Sequence, residues 1–259
     1  MMKEFEGIIY FSKPSRKCHL DSYNNQVINN VIDYGLDKSE SIRNEKIKSI
    51  LEKIIHDNFS YTDLKHNFVE YSDLLYHLGI EAYDHLKQYD MNYPEIEFLI
   101  HGNDIYAGEI YDNHINIYLR GNANDLNSVL HELGHYDKSF ILERRALMGY
   151  AIRNPSKYER VLQFNLDKKL KWFDEAYAMY FNYKGLKFLL DEYSDEPFVY
   201  EFVKKAAEEF VKDVEVFSCD PRKLPRRIRK LYHNATKIFL VWYNKGYDLN
   251  ELKIEWTKY

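Results

Sequence analysis

The chain has 259 residues, 45% of them hydrophobic, with 24 tyrosines against 10 glycines and a formal net charge of -5. That length and apolar share can bury a sizeable core in one large domain or two small ones. The acidic balance gives no global attraction to nucleic acid or to an anionic membrane, and two cysteines, Cys18 and Cys219, cannot build a disulfide framework. One bridge between them is possible, and two buried free thiols are the expectation.

At the N-terminus the apolar run "GIIYF" is too short for a signal-peptide core or a membrane span, so a soluble, cytoplasmic protein is the expectation. Residues 22 to 90 read as helical, with Ile47, Ile50, Leu51, Ile54 and Ile55 at helix spacing. "MNYPE" (91–95) punctuates that pattern. Three short β-branched and aromatic runs follow, "IEFLI" (96–100), "IYAGEI" (105–110) and "HINIYL" (114–119), separated by turn chemistry. They predict a small, mainly antiparallel sheet, and an edge position for 114–119 would let it bind an extended peptide by strand addition. "RGNAND" supplies a loop and a helix N-cap, Asn124 or Asp125. From there the pattern is helical to the end, broken near "DEYSDEP" (191–197) and "SCDPRKLP" (218–225).

The helix after that loop carries "NSVLHELGHYDKS", residues 127 to 139. His131 and His135 are four apart, so on a helix they project from one face and can grip one divalent cation. Glu132 points about 100° away, where it can hydrogen-bond a water rather than ligate. The H-E-x-x-H pattern is a signature of zinc peptidases for this mechanical reason. Gly134, costly inside a helix, suits a place where another segment must approach the backbone closely.

Two histidines do not close a zinc site. A third histidine at metzincin spacing would stand at position 141, which is Ile141. The better candidate is Glu175 in "KWFDEAYAMYF" (171–181), where Trp172, Ala178 and Met179 share its helical face. A carboxylate so flanked is desolvated and must be paired, protonated or bound to a cation. The alternative is a charge near a helix N-terminus, which is the reading for its neighbour Asp174. Glu143 is a rival ligand, but it continues the histidine helix.

"HELGHY" followed by "DEAYAMY" resembles the gluzincin zinc peptidases, especially the aminopeptidase-N-like group and the minigluzincins. The resemblance implies a zincin-like fold, Zn2+ held by His131, His135 and Glu175, and Glu132 as general base. "LYHNATKIFLVWYNKGYDLNELKIEW" is similar to the tyrosine-led helix of the same group, which implies Tyr232 as donor to the tetrahedral oxyanion, with His233 a lesser substitute. Ile228, Leu231, Tyr232, Ala235, Ile238, Phe239 and Trp242 form one apolar stripe, so Tyr232 should face inward. The segment that anchors a substrate's free N-terminus in the aminopeptidases is missing, and "ERRALMGYAIRNPSKYERVLQFN" must loop out between the two ligand helices.

The expectation is an α+β, zincin-like fold: a helical N-terminal region (1–95), a sheet with the H-E-x-x-H helix (96–150), and a helical subdomain carrying the third ligand (151–259). The expected function is zinc-dependent hydrolysis of a peptide or protein substrate, with no nucleic-acid or membrane partner. Two rivals stand beside it: a regulatory protein resembling the ImmA/IrrE group, and a non-catalytic, metal-stabilised binding protein. The basic run "RKLPRRIRK" (222–230) reads as a solvated helix entry.

Overall fold

The computed structural model describes residues 45–87, 93–100, 107–111, 114–137, 157–219 and 226–249, with backbone alone at 109, 111, 157–170 and 226–228. Cys18, Glu143, the segment 138–156, the first part of the expected N-terminal helical region and residues 222–225 of the basic run lie outside these residues.

Helix α1 (Glu45–Ile55) forms because its apolar residues recur at 3.6-residue spacing, and Ile47, Ile50, Leu51 and Ile54 are all buried. The short α2 (Tyr61–His66) starts with a capping box. The Ser60 hydroxyl accepts from the Asp63 N–H at 3.1 Å, and Asp63 accepts from the Ser60 N–H at 2.9 Å. Next, α3 (Phe68–Leu86) is apolar on most faces and packs against both α1 and the helices that carry the candidate site.

Three strands follow: β1 (Glu95–Ile100), β2 (Gly108–Tyr111) and β3 (His114–Leu119). The order across the sheet is β1-β3-β2. β2 and β3 form the hairpin that "YDN" predicts, with Gly108 opposite Ile117 and Tyr111 opposite His114. β1, however, runs parallel to β3, from Glu95 opposite His114 to Ile100 opposite Leu119. The sheet is therefore mixed rather than mainly antiparallel. The reason is burial. Ile115, Ile117 and Leu119 are fully buried, so β3 takes the centre and pairs with β1, the other strongly apolar strand. Strand 114–119 is thus not an edge strand, and β1 and β2 take the two edges among the described strands.

Helix α4 (Asn124–Tyr136) carries the two histidines and lies between the sheet and the remaining helices. Neither Asn124 nor Asp125 caps it. Ala123 occupies that position, and Asp125 turns back to hold the incoming loop. Its carboxylate accepts from the backbone N–H groups of Arg120 (3.0 Å), Gly121 (2.8 Å) and Asn122 (3.3 Å), and from the Tyr71 hydroxyl (3.2 Å). This buried anchor ties α4 to the end of β3 and to α3.

The breaks near 191–197 and 218–225 are where the sequence puts them: α5 (Lys157–Glu192), α6 (Pro197–Cys219) and α7 (Arg226–Lys245). Helix α5 packs on α4 and α7. At the α4–α5 crossing, a Cβ on Gly134 would sit 2.9 Å from the Ala178 Cα and 2.8 Å from the Phe181 Cβ. Glycine is there because a second helix backbone is almost touching. One continuous core runs from Ile47 to Leu249, so the three expected segments share a single apolar interior. Cys219, expected to be buried, is exposed, because the last residue of α6 faces away from that core. Among the described residues no helix is long and apolar enough to cross a membrane.

Asp125→Ala leaves several buried donors without an acceptor, and the expected cost is about 2–4 kcal/mol of stability. Urea unfolding of the variant beside wild type measures it; a change under about 0.5 kcal/mol would refute the anchoring role.

Candidate metal centre

His131 and His135 project from one face of α4, and Glu175 projects from the middle of α5 toward them. All three are buried, at 6%, 4% and 1% exposure. The imidazole Nε2 atoms are 3.0 Å apart, and Glu175 Oε2 lies 3.4 Å from His131 Nε2 and 3.7 Å from His135 Nε2. A tetrahedral cation about 2.0–2.1 Å from each donor would space them about 3.3–3.4 Å apart. The three observed separations straddle that value. These residues could therefore hold one metal ion, and they are the one such group among the described residues.

The electrostatics of the cluster favour an ionised Glu175 and a protonated His135. Burial pushes the Glu175 carboxyl up, but hydrogen bonds and charge from His131 and His135 outweigh it and hold the group at about 2. Glu175 is thus ionised wherever the protein is folded at ordinary pH. For His131, burial is the larger influence and pulls the imidazole down. Burial also opposes charge on His135, yet Asp174 and Glu175 beside it push the imidazole well above its usual range. An imidazolium cannot ligate, so a bound cation replaces a proton there.

Asp174 has a larger part than the sequence suggests. Its place is deep within α5, not at a helix start, and its Oδ1 lies 3.2 Å from His135 Nδ1. A carboxylate on the far nitrogen fixes the ring and its tautomer, leaving Nε2 to face a metal. The available signal was adjacency: a residue next to a ligand on a helix often reaches that ligand's partner. A second tie between the helices is the Tyr177 hydroxyl, which donates to Asp137 at 2.6 Å just past the end of α4.

Glu132 is 2% exposed and lines the same cleft as His131 and Tyr232. It lies against the edge strand: a Cβ on Gly108 would come 2.6 Å from the Glu132 Cγ and 2.8 Å from Oε1. Gly108 thus makes room for the carboxylate, a role that sequence reasoning missed because strand glycines carry no chemistry of their own. Tyr232 faces inward as its stripe predicts, at 1% exposure, with its ring 4.8 Å from that of Phe217. Burial first, then the charge and hydrogen bond of Glu175 and the charge of Glu132, push its hydroxyl well above the ordinary tyrosine range. It keeps its proton and stays a donor. His233 turns elsewhere, with Nδ1 3.1 Å from the Phe217 carbonyl oxygen.

Glu175→Ala should abolish stoichiometric metal binding, and Asp174→Ala should weaken it by about 10–100-fold, measured by competition with a chromophoric chelator. Unchanged affinity in both variants would refute the ligand set. No protein-family model matches this chain, and neither does any curated protein or solved structure, which leaves the geometry of this cluster as the ground for assigning it a chemistry.

Proposed function

We propose that this protein is a zinc-dependent peptidase of gluzincin type, in which His131, His135 and Glu175 hold Zn2+ and Glu132 is the general base. The observation that carries the reading is the convergence of a buried two-histidine, one-carboxylate cluster with a second buried carboxylate, Glu132, which lines the same cleft as His131. Nitrogen and carboxylate donors in a set of three suit zinc with a fourth position left for chemistry. When bound, the ion supplies Lewis acidity, making a water acidic near neutral pH and polarising a carbonyl oxygen.

The chain's own residues do the rest. Glu132, kept close by Gly108, takes a proton onto its carboxylate as water attacks the scissile carbonyl carbon. It then delivers that proton to the departing amine nitrogen, so the group begins and ends ionised. The Tyr232 hydroxyl, held protonated, donates to the oxyanion that develops on the carbonyl. Asp174 holds the His135 ring in the tautomer that ligates. The outer edge of β2 is unpaired among the described residues and adjoins Glu132, so an extended peptide could add to it as a further strand.

A peptide-library digest with wild type beside Glu132→Gln tests the proposal. Wild type should cleave, while the variant should retain its zinc and lose at least about 10²-fold in turnover. Tyr232→Phe should lower kcat by about 10²-fold with little change in KM. A zinc-loaded wild type that cleaves no member of the library sinks the hydrolytic reading in favour of a metal-stabilised binding protein.

A further inference from the structure

We infer that the end of the cleft away from the metal ligands is a subsite for a substrate carboxylate, held by Arg120 and Asn124. This rests on the proposed reading of the site as a peptide hydrolase and names the group its substrate would carry.

The cleft, of about 670 Å³, follows one face of α4 from His131 through Ser128 and Asn127 to Asn124, and Arg120 lines it beyond that. A backbone bond fixes where Arg120 stands. Its N–H donates to the Asp125 carboxylate at 3.0 Å, which seats it against the first turn of α4. Asp125 precedes His131 by six residues. At 1.5 Å per residue that is about 9 Å along the helix axis.

Two donors at this end meet no acceptor. No hydrogen bond or ion pair engages the Arg120 guanidinium among the described residues. Its charge reaches the buried Asp125, where it opposes the upward push of burial. That carboxylate is already held by the Gly121 and Asn122 N–H groups and by the Tyr71 hydroxyl, so it does not turn to the guanidinium. The Asn124 Oδ1 accepts from the Asn127 Nδ2 at 2.9 Å, which sets the amide and leaves the Asn124 Nδ2 without an acceptor. Neither nitrogen group is sealed from solvent, so a ligand lying in the cleft can reach both.

The ligand group follows from those donors. Glu132 and Asp213 also line the cleft, so its summed charge does not choose the ligand. Both have other interactions, and neither forms an ion pair with Arg120. A guanidinium and an amide N–H group offer no acceptor here, which excludes an ammonium or a hydrocarbon end. A carboxylate supplies two oxygens, and its charge-assisted bond to arginine is about twice as strong as a neutral one. An extended peptide advances about 3.3 Å per residue, so the carboxylate lies about three residues from the scissile bond. A Glu or Asp side chain can bring it there, and so can the C-terminus of a short peptide.

The test is calorimetric binding of blocked hexapeptides to zinc-loaded Glu132→Gln protein, with Glu, Gln or Lys at each position in turn. A second series, of increasing length, ends in a free or an amidated C-terminus. At one position Glu, or at one length the free terminus, should bind at least about tenfold tighter than its amide counterpart. The series that shows the gain tells a side chain from a chain end. The gain should fall to within about twofold in Arg120→Gln and return in part in Arg120→Lys, with zinc affinity and thermal unfolding unchanged. Asn124→Asp keeps the acceptor for Asn127, replaces the donor with an anion, and should abolish the gain as well. Equal affinities in both series, tighter binding of Lys, a gain that survives Arg120→Gln, or no binding by any peptide would overturn the assignment. The readout needs no turnover, so the two readings part cleanly. Cleavage by wild type without a carboxylate preference refutes this subsite alone, and carboxylate-selective binding without cleavage refutes only the peptidase.

Discussion

The closeness with which α5 crosses α4 governs everything else in this molecule. Gly134 and Ala178 present almost no side chain at the crossing, so the two backbones come within van der Waals contact. Only at that separation does the short Glu175 side chain reach imidazoles on the opposite helix. Larger residues flank the contact and hold it: Phe181 packs on Gly134, and Leu130 packs on Gly185 one turn along. The aromatic side chains of Tyr177 and Phe181 contribute much of the buried area, and aromatic rings bury about 150–250 Å² each. That apolar contact, with the Tyr177–Asp137 hydrogen bond beside it, fixes a geometry that the ionic cluster could not fix alone.

The cluster itself is costly. Glu132, His131, His135 and Glu175 are all nearly excluded from water, and desolvating such groups costs several kcal/mol apiece unless each is compensated. Imidazole–carboxylate contacts compensate part of it, as the depressed Glu175 shows. A cation between the three donors would offset more, because it converts repulsion between the imidazole lone pairs into coordination. A fold that needed only stability could fill this space with apolar side chains at no loss. Packing alone therefore does not account for the charged groups inside this core.

The sheet contributes in a different way. With β3 at the centre, β2 is left at the edge beside α4, and Gly108 on that edge clears the space that Glu132 fills. Pairing alone decides this. Had β1 joined β2 in a simple meander, 114–119 would have lain at the edge.

Some of this was legible residue by residue. The spacing of His131 and His135 places both on one helical face in any context, and the isoleucines of α1 declare their buried side through simple periodicity. Pro197 and the turn residues before Arg226 mark helix breaks that depend on local backbone chemistry. Inward placement of Tyr232 follows from its stripe. The parallel pairing of β1 could not be read, since strand order depends on which apolar faces find each other across the sheet. Nor could the exposure of Cys219, a local helix end whose facing is set by the core. Asp174 and Gly108 gain their meaning only from partners 39 and 24 positions away, on other elements. What the sequence by itself determined is the set of elements and the chemistry each one carries, because helical and strand periodicity are local properties of the chain. What the tertiary structure decided is which of those groups meet, since a distance of 3.4 Å between His131 and Glu175 depends on two separate helices crossing at a glycine.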